Sequence, residues 1–318
     1  MLSFSKAILC IAAMAACSLA TAAPVSLGAA SGYNAVSLGD FKASNSSVGG
    51  AVAVAGNMTA SSYSINGRDG AGNGVVVGGD LTYRNGSVQG KVNVGGAMTT
   101  SGTSIKNSPT GSAPIDFGGL AQQMQALSAG LAQLTATGSA ADQWGGLKFT
   151  GSNSAVEVFN IAGDVLSNYS WSSLAGLQAG STVIINVSGS QVNVHGGMPS
   201  GLSSYNVLYN FFEADMLTLS GTHLYGSILA PDAELKGSNG QISGNVIAGS
   251  WNSSLTLNAN RYFNATDIAG FQLPSQSRPP ADDMAVPEPG ALALMSLALG
   301  LMGFTARGRK KRALHLQT

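Results

Sequence analysis

The chain has 318 residues, of which 44% are hydrophobic and only 9% charged, with 43 glycines and a formal net charge of zero. Zero net charge and ample apolar content exclude disorder by self-repulsion; no basic face is offered to nucleic acid; and two cysteines exclude a disulfide scaffold. Nine of the fifteen basic residues but fourteen of the fifteen acids lie between the two ends, so the central body is about five charges negative while Arg307, Arg309, Lys310, Lys311 and Arg312 concentrate positive charge at the C-terminus.

Residues 1–22 read as a secretory signal peptide. Lys6 supplies the positive start, residues 7–20 are almost wholly apolar, and Ala20-Thr21-Ala22 is a small-x-small site for signal peptidase. Met14-Ala15-Ala16-Cys17 loosely resembles a lipoprotein box, with an atypical methionine in the leading position. Cleavage after Ala22 removes Cys10 and Cys17, leaving no thiol for a disulfide, a metal or a nucleophile.

The body, 23–271, repeats itself. Val54-Ala55-Gly56-Asn57-Met58-Thr59 recurs as Val77-Gly78-Gly79-Asp80-Leu81-Thr82 and as Val94-Gly95-Gly96-Ala97-Met98-Thr99. Weaker echoes start at Ile161 and Val194. Val75-Val77, Val92-Val94 and Val192-Val194 alternate with period two, a strand signal. Glycine, Asn or Asp at a fixed place after each strand marks a sharp corner. Short strands with corners about every 20 residues predict stacked coils. The expected fold is therefore all-β: a right-handed β-solenoid (β-helix), with a Greek-key β-sandwich as the competing arrangement. Residues 119–137 break the pattern: Leu120, Met124, Leu127, Leu131 and Leu134 fall on one helical face, predicting an accessory amphipathic helix against the coils. Leu224-Tyr225-Gly226-Ser227-Ile228-Leu229-Ala230 and Ile242-Ser243-Gly244-Asn245-Val246-Ile247-Ala248 form a last repeated pair.

The body also resembles the choice-of-anchor A family. The resemblance rests on Leu38-Gly39-Asp40-Phe41, Asn45 to Ala53, the 77–82 rung, Pro114-Ile115-Asp116-Phe117, Tyr209-Asn210-Phe211-Phe212, and the paired segments Gly226–Ala233 and Gly244–Gly249. It implies a β-helical, adhesin-like surface domain without established catalysis.

Candidate chemistry is sparse. His195 and His223 stand in turns, without the matched spacing of a metal site. Glu213 and Asp215 are near His223 in sequence. Asp232 and Glu234, two apart, are the best carboxylate pair for a polysaccharide-acting β-helix enzyme, yet they follow Pro231 at a solvated corner. Asp80 and Asp164 read as turn formers. Asp69-Gly70-Ala71-Gly72-Asn73-Gly74 lacks both the nonapeptide register and the closing Glu of calcium loops. An ice- or surface-binding protein would need a flat ladder of Thr-x-Thr at constant spacing, whereas Thr59, Thr82 and Thr99 occupy equivalent places as single residues at unequal offsets. Tyr169, Trp171, Tyr205 and Trp251 are candidates for stacking on sugars or for the core. No residue is expected to act in catalysis or to ligate a metal, and no cofactor is expected.

Residues 272–285 form a linker broken by Pro274, Pro279 and Pro280. Val286, Pro287, Glu288 and Pro289 precede an uncharged stretch, 290–306, about 25 Å long as a helix and just enough for a thin bilayer. The basic cluster Arg307, Arg309, Lys310, Lys311 and Arg312 follows at once, and the positive-inside rule keeps it cytoplasmic. The tripartite segment 286–312 resembles the PEP-CTERM sorting signal. That resemblance implies an exosortase partner in a Gram-negative, exopolysaccharide-making bacterium, with cleavage near Pro287-Glu288-Pro289. The combined expectation is an exported structural or adhesive protein of the cell surface or biofilm matrix. It is held transiently in the inner membrane by its C-terminal helix, with exopolysaccharide or other surface proteins as partners.

Overall fold

The computed structural model describes residues 24–65, 72–105, 110–111, 114–167 and 169–274. The signal-peptide site at Ala20 and Ala22, most of the 272–285 linker, the sorting residues Val286 to Pro289, the 290–306 span and the basic cluster lie outside them, as do three positions of the Asp69–Gly74 loop. By its contacts the chain divides into two units, Met1–Pro274 and Ser275–Thr318. Among the described residues no helix is long and apolar enough to cross a membrane.

The repeats are coils, in the register the sequence repeat implies. Val54 pairs with Val77 and Val77 with Val94; Thr59 pairs with Thr82 and Thr82 with Thr99. All pairing in the large sheet is parallel. The fixed corner has a direct physical cause. Asp40 Oδ1 accepts from Asn57 N at 2.8 Å, Asn57 Oδ1 from Asp80 N at 2.9 Å, and Asp80 Oδ1 from Ala97 N at 2.7 Å. The glycine before each Asx must lack a Cβ, because on Gly79 one would lie 2.5 Å from Asn57 Oδ1 and 2.8 Å from Gly56 O.

The order of the coils overturns the expected fold. In a continuously wound right-handed β-solenoid each coil stacks on the next in sequence. Here the first coil, at Ala35–Ser37, lies between Val52–Val54 on one side and Val246–Ser253, nearly the last strand, on the other. From that seam the N-terminal half winds outward through Asn73–Val77 and Lys91–Val94 to Thr110–Gly111. The C-terminal half starts at the far end with Val156–Ala162 and winds back through Thr182–Ser188, Asn206–Phe211 and Ser227–Ser238. The protein is thus mostly β, its parallel strands closed around a core in two interrupted runs, with one helix. The β-sandwich is equally excluded, since two facing antiparallel sheets would not give this parallel ladder. Sequence repeats mark strand and corner but carry no label for which coil meets which, because every coil offers its neighbour the same backbone groups.

The helix α1, Phe117–Ala132, follows the outward run in sequence and contacts Thr182–Ser188, Asn206–Phe211 and Ser227–Ser238. Asp116 caps its N-terminus by accepting from Gly119 N at 3.0 Å. At about 1.5 Å per residue it is as long as roughly five coils spaced about 4.8 Å apart. Leu120, Met124, Leu127, Leu131 and Leu134 are buried against Val158, Ile184, Leu208, Leu229 and Ile247. The strands beneath are therefore buried on both faces and read as apolar runs, each interrupted by one buried asparagine, Asn186 or Asn210, rather than as an alternation. A second column of apolar side chains fills the coil interior, including Phe41, Leu81, Tyr83, Val192, Leu217 and Leu235. A small sheet, Ser139–Gln143, Gly146–Thr150 and Trp171–Ala175, buries Leu147 and Phe149 in this interior column.

Candidate binding face

One face of the coils carries neither helix nor small sheet. It is built from the first halves of Phe41–Val48 and Met58–Ile65, from Leu81–Arg84 and Met98–Ser101, and from the returning strands after Gln191, Met216, Glu234 and Ser250. Period-two alternation sends Met58, Ala60, Leu81 and Tyr83 inward and Thr59, Ser61, Thr82 and Arg84 outward.

Because the ladders are parallel and in register, equivalent outward positions line up. Asn193, Thr218, Lys236, Asn252, Lys42, Thr59, Thr82 and Thr99 form one column crossing the seam. Ser44, Ser61, Arg84 and Ser101 form a shorter second column. Neighbours in such columns are about 4.8 Å apart. The three threonines found in the sequence are thus one end of a longer row, whose remaining members are lysines, asparagines and one further threonine on other coils.

At the seam the face opens. Pairing of the first coil with the last holds at Phe41–Trp251 and Lys42–Asn252, then resumes only at Val48–Leu257. The gap is a groove of about 350 Å³ lined by Lys42, Ser44, Thr59, Ser61, Asn252, Ser253 and Ser254. It adjoins a second of about 510 Å³ over Asn45, Ser46, Asn239, Gln241 and Thr256. Hydroxyls and amides dominate both linings, with Lys42 the one ionised side chain. Among the described residues these two linings offer hydrogen-bond donors and acceptors in number and no carboxylate.

The carboxylate pair proposed from sequence is pulled apart. Register shifts between Ala230 and Glu234 as the strand turns a corner. Asp232 accepts from Gln125 Nε2 of the helix at 2.6 Å, while Glu234 pairs with Lys236 at 3.0 Å on the open face. Asp80 belongs to the corner ladder, and Asp164 precedes the short helical turn Val165–Ser167. His195 stands beside Ser220 on the open face. His223 pairs in register with Gln241 and is stacked on Tyr225 at 4.6 Å, and Glu213 accepts from Gly189 N at 2.9 Å. Asn73 of the glycine-rich loop accepts from Asn93 Nδ2 at 3.1 Å. No group of three His, Cys, Asp or Glu side chains gathers among the described residues. Of the candidate aromatics, Trp251 is core, stacked on Phe41 at 5.4 Å and 9°; Tyr169 and Tyr205 pack against the core; Trp171 is exposed.

Two polar features were not singled out from sequence. Asn160, Asn186 and Asn210 form a ladder that runs from an exposed end at Asn160 to buried Asn186 and Asn210: Asn186 Nδ2 donates to Asn160 Oδ1 and to Leu131 O, and Asn210 Nδ2 to Asn186 Oδ1 and Ser128 O. Ser128 Oγ returns a bond to Asn210 Oδ1 at 2.6 Å, so the helix is clamped as well as packed. Glu157 is wholly buried and accepts from Ser152 N and Ser154 N at 2.8 Å and from Thr137 Oγ1 at 2.7 Å. Burial alone raises its pKa and is the largest single influence. The hydrogen bonds from Ser154, Thr137 and Ser152 together outweigh it and hold the carboxyl below the usual glutamate range. A lone glutamate in the apolar run Val156–Phe159 was the available signal.

Comparison with known proteins gives two matches along the chain. Residues 26–259 match the family described as "Putative Ice-binding-like adhesive domain", and residues 285–310 match the PEP-CTERM protein-sorting motif. The latter implies an exported protein processed by an exosortase. The choice-of-anchor A name is not among the matches. No curated protein matches the chain. Among solved structures, the ice-binding protein of the Antarctic ascomycete Antarctomyces psychrotrophicus is 17% identical, covering 77% of this chain and 99% of that one with a TM-score of 0.31. With most of its length matched from Ser26 to Ala259, the chain belongs to the ice-binding-like adhesive domain family and carries a PEP-CTERM sorting motif behind that domain.

Proposed function

We propose that this protein is a non-enzymatic adhesin of the cell surface or exopolysaccharide matrix, and that its open coil face makes the contact. The sorting motif supports export and processing. Val286, Pro287, Glu288 and Pro289 would be read by exosortase while the 290–306 span, stopped by the cluster Arg307 to Arg312, holds the precursor in the inner membrane. Signal peptidase would have acted earlier, at Ala20 to Ala22. The observation that carries the adhesive reading is the column from Asn193 to Thr99, eight coils of outward polar side chains in register. A surface of that kind matches a repetitive partner through many small contacts, few of them ionic, and so loses little to salt screening.

The regular threonine end of the same column favours a second reading, binding to ice. One experiment separates the two. Purified residues 24–274 are assayed for retention on isolated exopolysaccharide and for thermal hysteresis, alongside Thr82→Tyr, which raises a large ring from the middle of the threonine row. The matrix reading expects retention at both low and high salt, reduced at least tenfold by Thr82→Tyr, without hysteresis. Hysteresis removed by Thr82→Tyr, without retention, selects ice. Neither activity, or one indifferent to the substitution, removes the open face from the mechanism.

A further inference from the structure

The small sheet at the end of the coils carries a feature that the coil face does not explain. Of the three tryptophans in the chain, Trp251 is core, and the other two both lie on this sheet. Trp144 is 90% exposed and Trp171 41% exposed. Trp144 and Gly145 form the two-residue turn joining Ser139–Gln143 to Gly146–Thr150, with φ of 52° and 75°. Such a turn favours Asn or Gly at its first position, and a bulky residue with positive φ is uncommon. Asp142 Oδ1 accepts from Gly145 N at 2.9 Å, and Ser170 N and Oγ donate to Gly145 O at 2.7 and 2.8 Å, so the turn is held in this form. An indole is thus kept in water, in a conformation that disfavours it. Trp171 pairs with Gly146 on the neighbouring strand, and a Cβ at Gly146 would fall within the Trp171 ring. Glycine there lets the indole rest on the sheet.

Polar groups share that outer face. Gln143 is in register with Gly146, and Lys148 with Ser173 one same-face position further along. An amide, an ammonium and a hydroxyl therefore stand within one or two residue spacings of the ring. A protein hot spot would need an apolar surround and a bilayer several apolar side chains. Neither is present: the other exposed large hydrophobic among the described residues, Leu273, lies outside this sheet. A pyranose ring has the complementary pattern, with C–H bonds on one face and hydroxyls around its edge.

We propose that Trp171 and Trp144 form a second binding site, for pyranose units of a polysaccharide, in which the indoles stack on the sugar faces and Gln143, Lys148 and Ser173 bond the rim hydroxyls. The inference is independent of the coil face. Its test uses tryptophan emission of purified residues 24–274, titrated with hydroxyethylcellulose, with alginate and with phosphatidylcholine–phosphatidylglycerol vesicles. At least one of the two polysaccharides is expected to blue-shift the emission and protect it from acrylamide. Trp171→Ala should weaken that binding at least tenfold, and Trp171→Tyr less. Trp144→Gly should weaken binding while raising the melting temperature, a pairing that a merely structural tryptophan would not give. Thr82→Tyr should leave the shift intact. A shift with vesicles alone, no shift with either polysaccharide, a full shift in Trp171→Ala, or its loss in Thr82→Tyr would each overturn the proposal.

Discussion

Gly79 and Glu157 show how single side chains set this fold. The corner at Gly79 has no room for a methyl group, because Asn57 Oδ1 and Gly56 O occupy the place from the adjacent coil. Gly79→Ala therefore forces the Asx ladder apart and is expected to destabilise by about 1–3 kcal/mol, read from denaturant midpoints. This position was legible in advance, since the glycine recurs at a fixed place in three repeats. Glu157 was less so: its run marked it as odd, but its partners come from Thr137 and from Ser152 and Ser154. Replacing a buried, charged acceptor by an amide in Glu157→Gln leaves some of these donors without a matching acceptor and should cost about 1–3 kcal/mol. The sign of the pH effect follows from the lowered folded pKa. Unfolded, the carboxyl takes up a proton first. Its stabilisation is complete above the ordinary glutamate range and is lost as pH falls through the folded value. Thermal melts of wild type and Glu157→Gln should converge towards acid pH; a constant gap would contradict this.

Among the elements, the seam carries most consequence. Here the first coil meets nearly the last, and the join is made by Phe41 against Trp251 at 5.4 Å and by Asn34, whose Nδ2 donates to Gly244 O at 2.6 Å while Oδ1 accepts from Gly50 N. Trp251→Ala removes the largest side chain of that join and is expected to cost about 3–5 kcal/mol. Hydrogen exchange should show the loss at the seam strands 35–48 and 246–258 before it appears at either end of the coils. Uniform loss across all coils would argue that the two runs are not separable. The helix shows the opposite relation between sequence and structure. Its apolar face, from Leu120 to Leu134, was fixed by spacing alone. Its seating depends on Asn186 and Asn210, which stand out as polar residues within apolar runs but whose partners on the helix, Leu131 O and Ser128 O, no local pattern names.

For the whole molecule, the sorting tail and the adhesive domain separate in the division at Pro274. Among the described residues, both core columns lie before it. A chain of residues 24–274 is therefore expected to fold cooperatively, with a melting temperature within about 2 °C of the longer chain ending at residue 285. A lower value or loss of cooperativity, by circular dichroism, would place part of the fold beyond Pro274. What the sequence determined by itself were the things local chemistry specifies: the sorting motif from its ordered proline, apolar and basic parts, strands from period-two valines, corners from glycine and Asx, the helix from its heptad-like spacing. Tertiary structure alone decided which coil lies against which, how Asp232 and Glu234 part at a corner, and how Thr59, Thr82 and Thr99 extend into an eight-coil column. The reason is that parallel backbone ladders are chemically alike from coil to coil. Their order is chosen by distant side chains such as Phe41, Trp251 and Asn34, which meet only after the chain has wound outward, returned and closed on its own beginning.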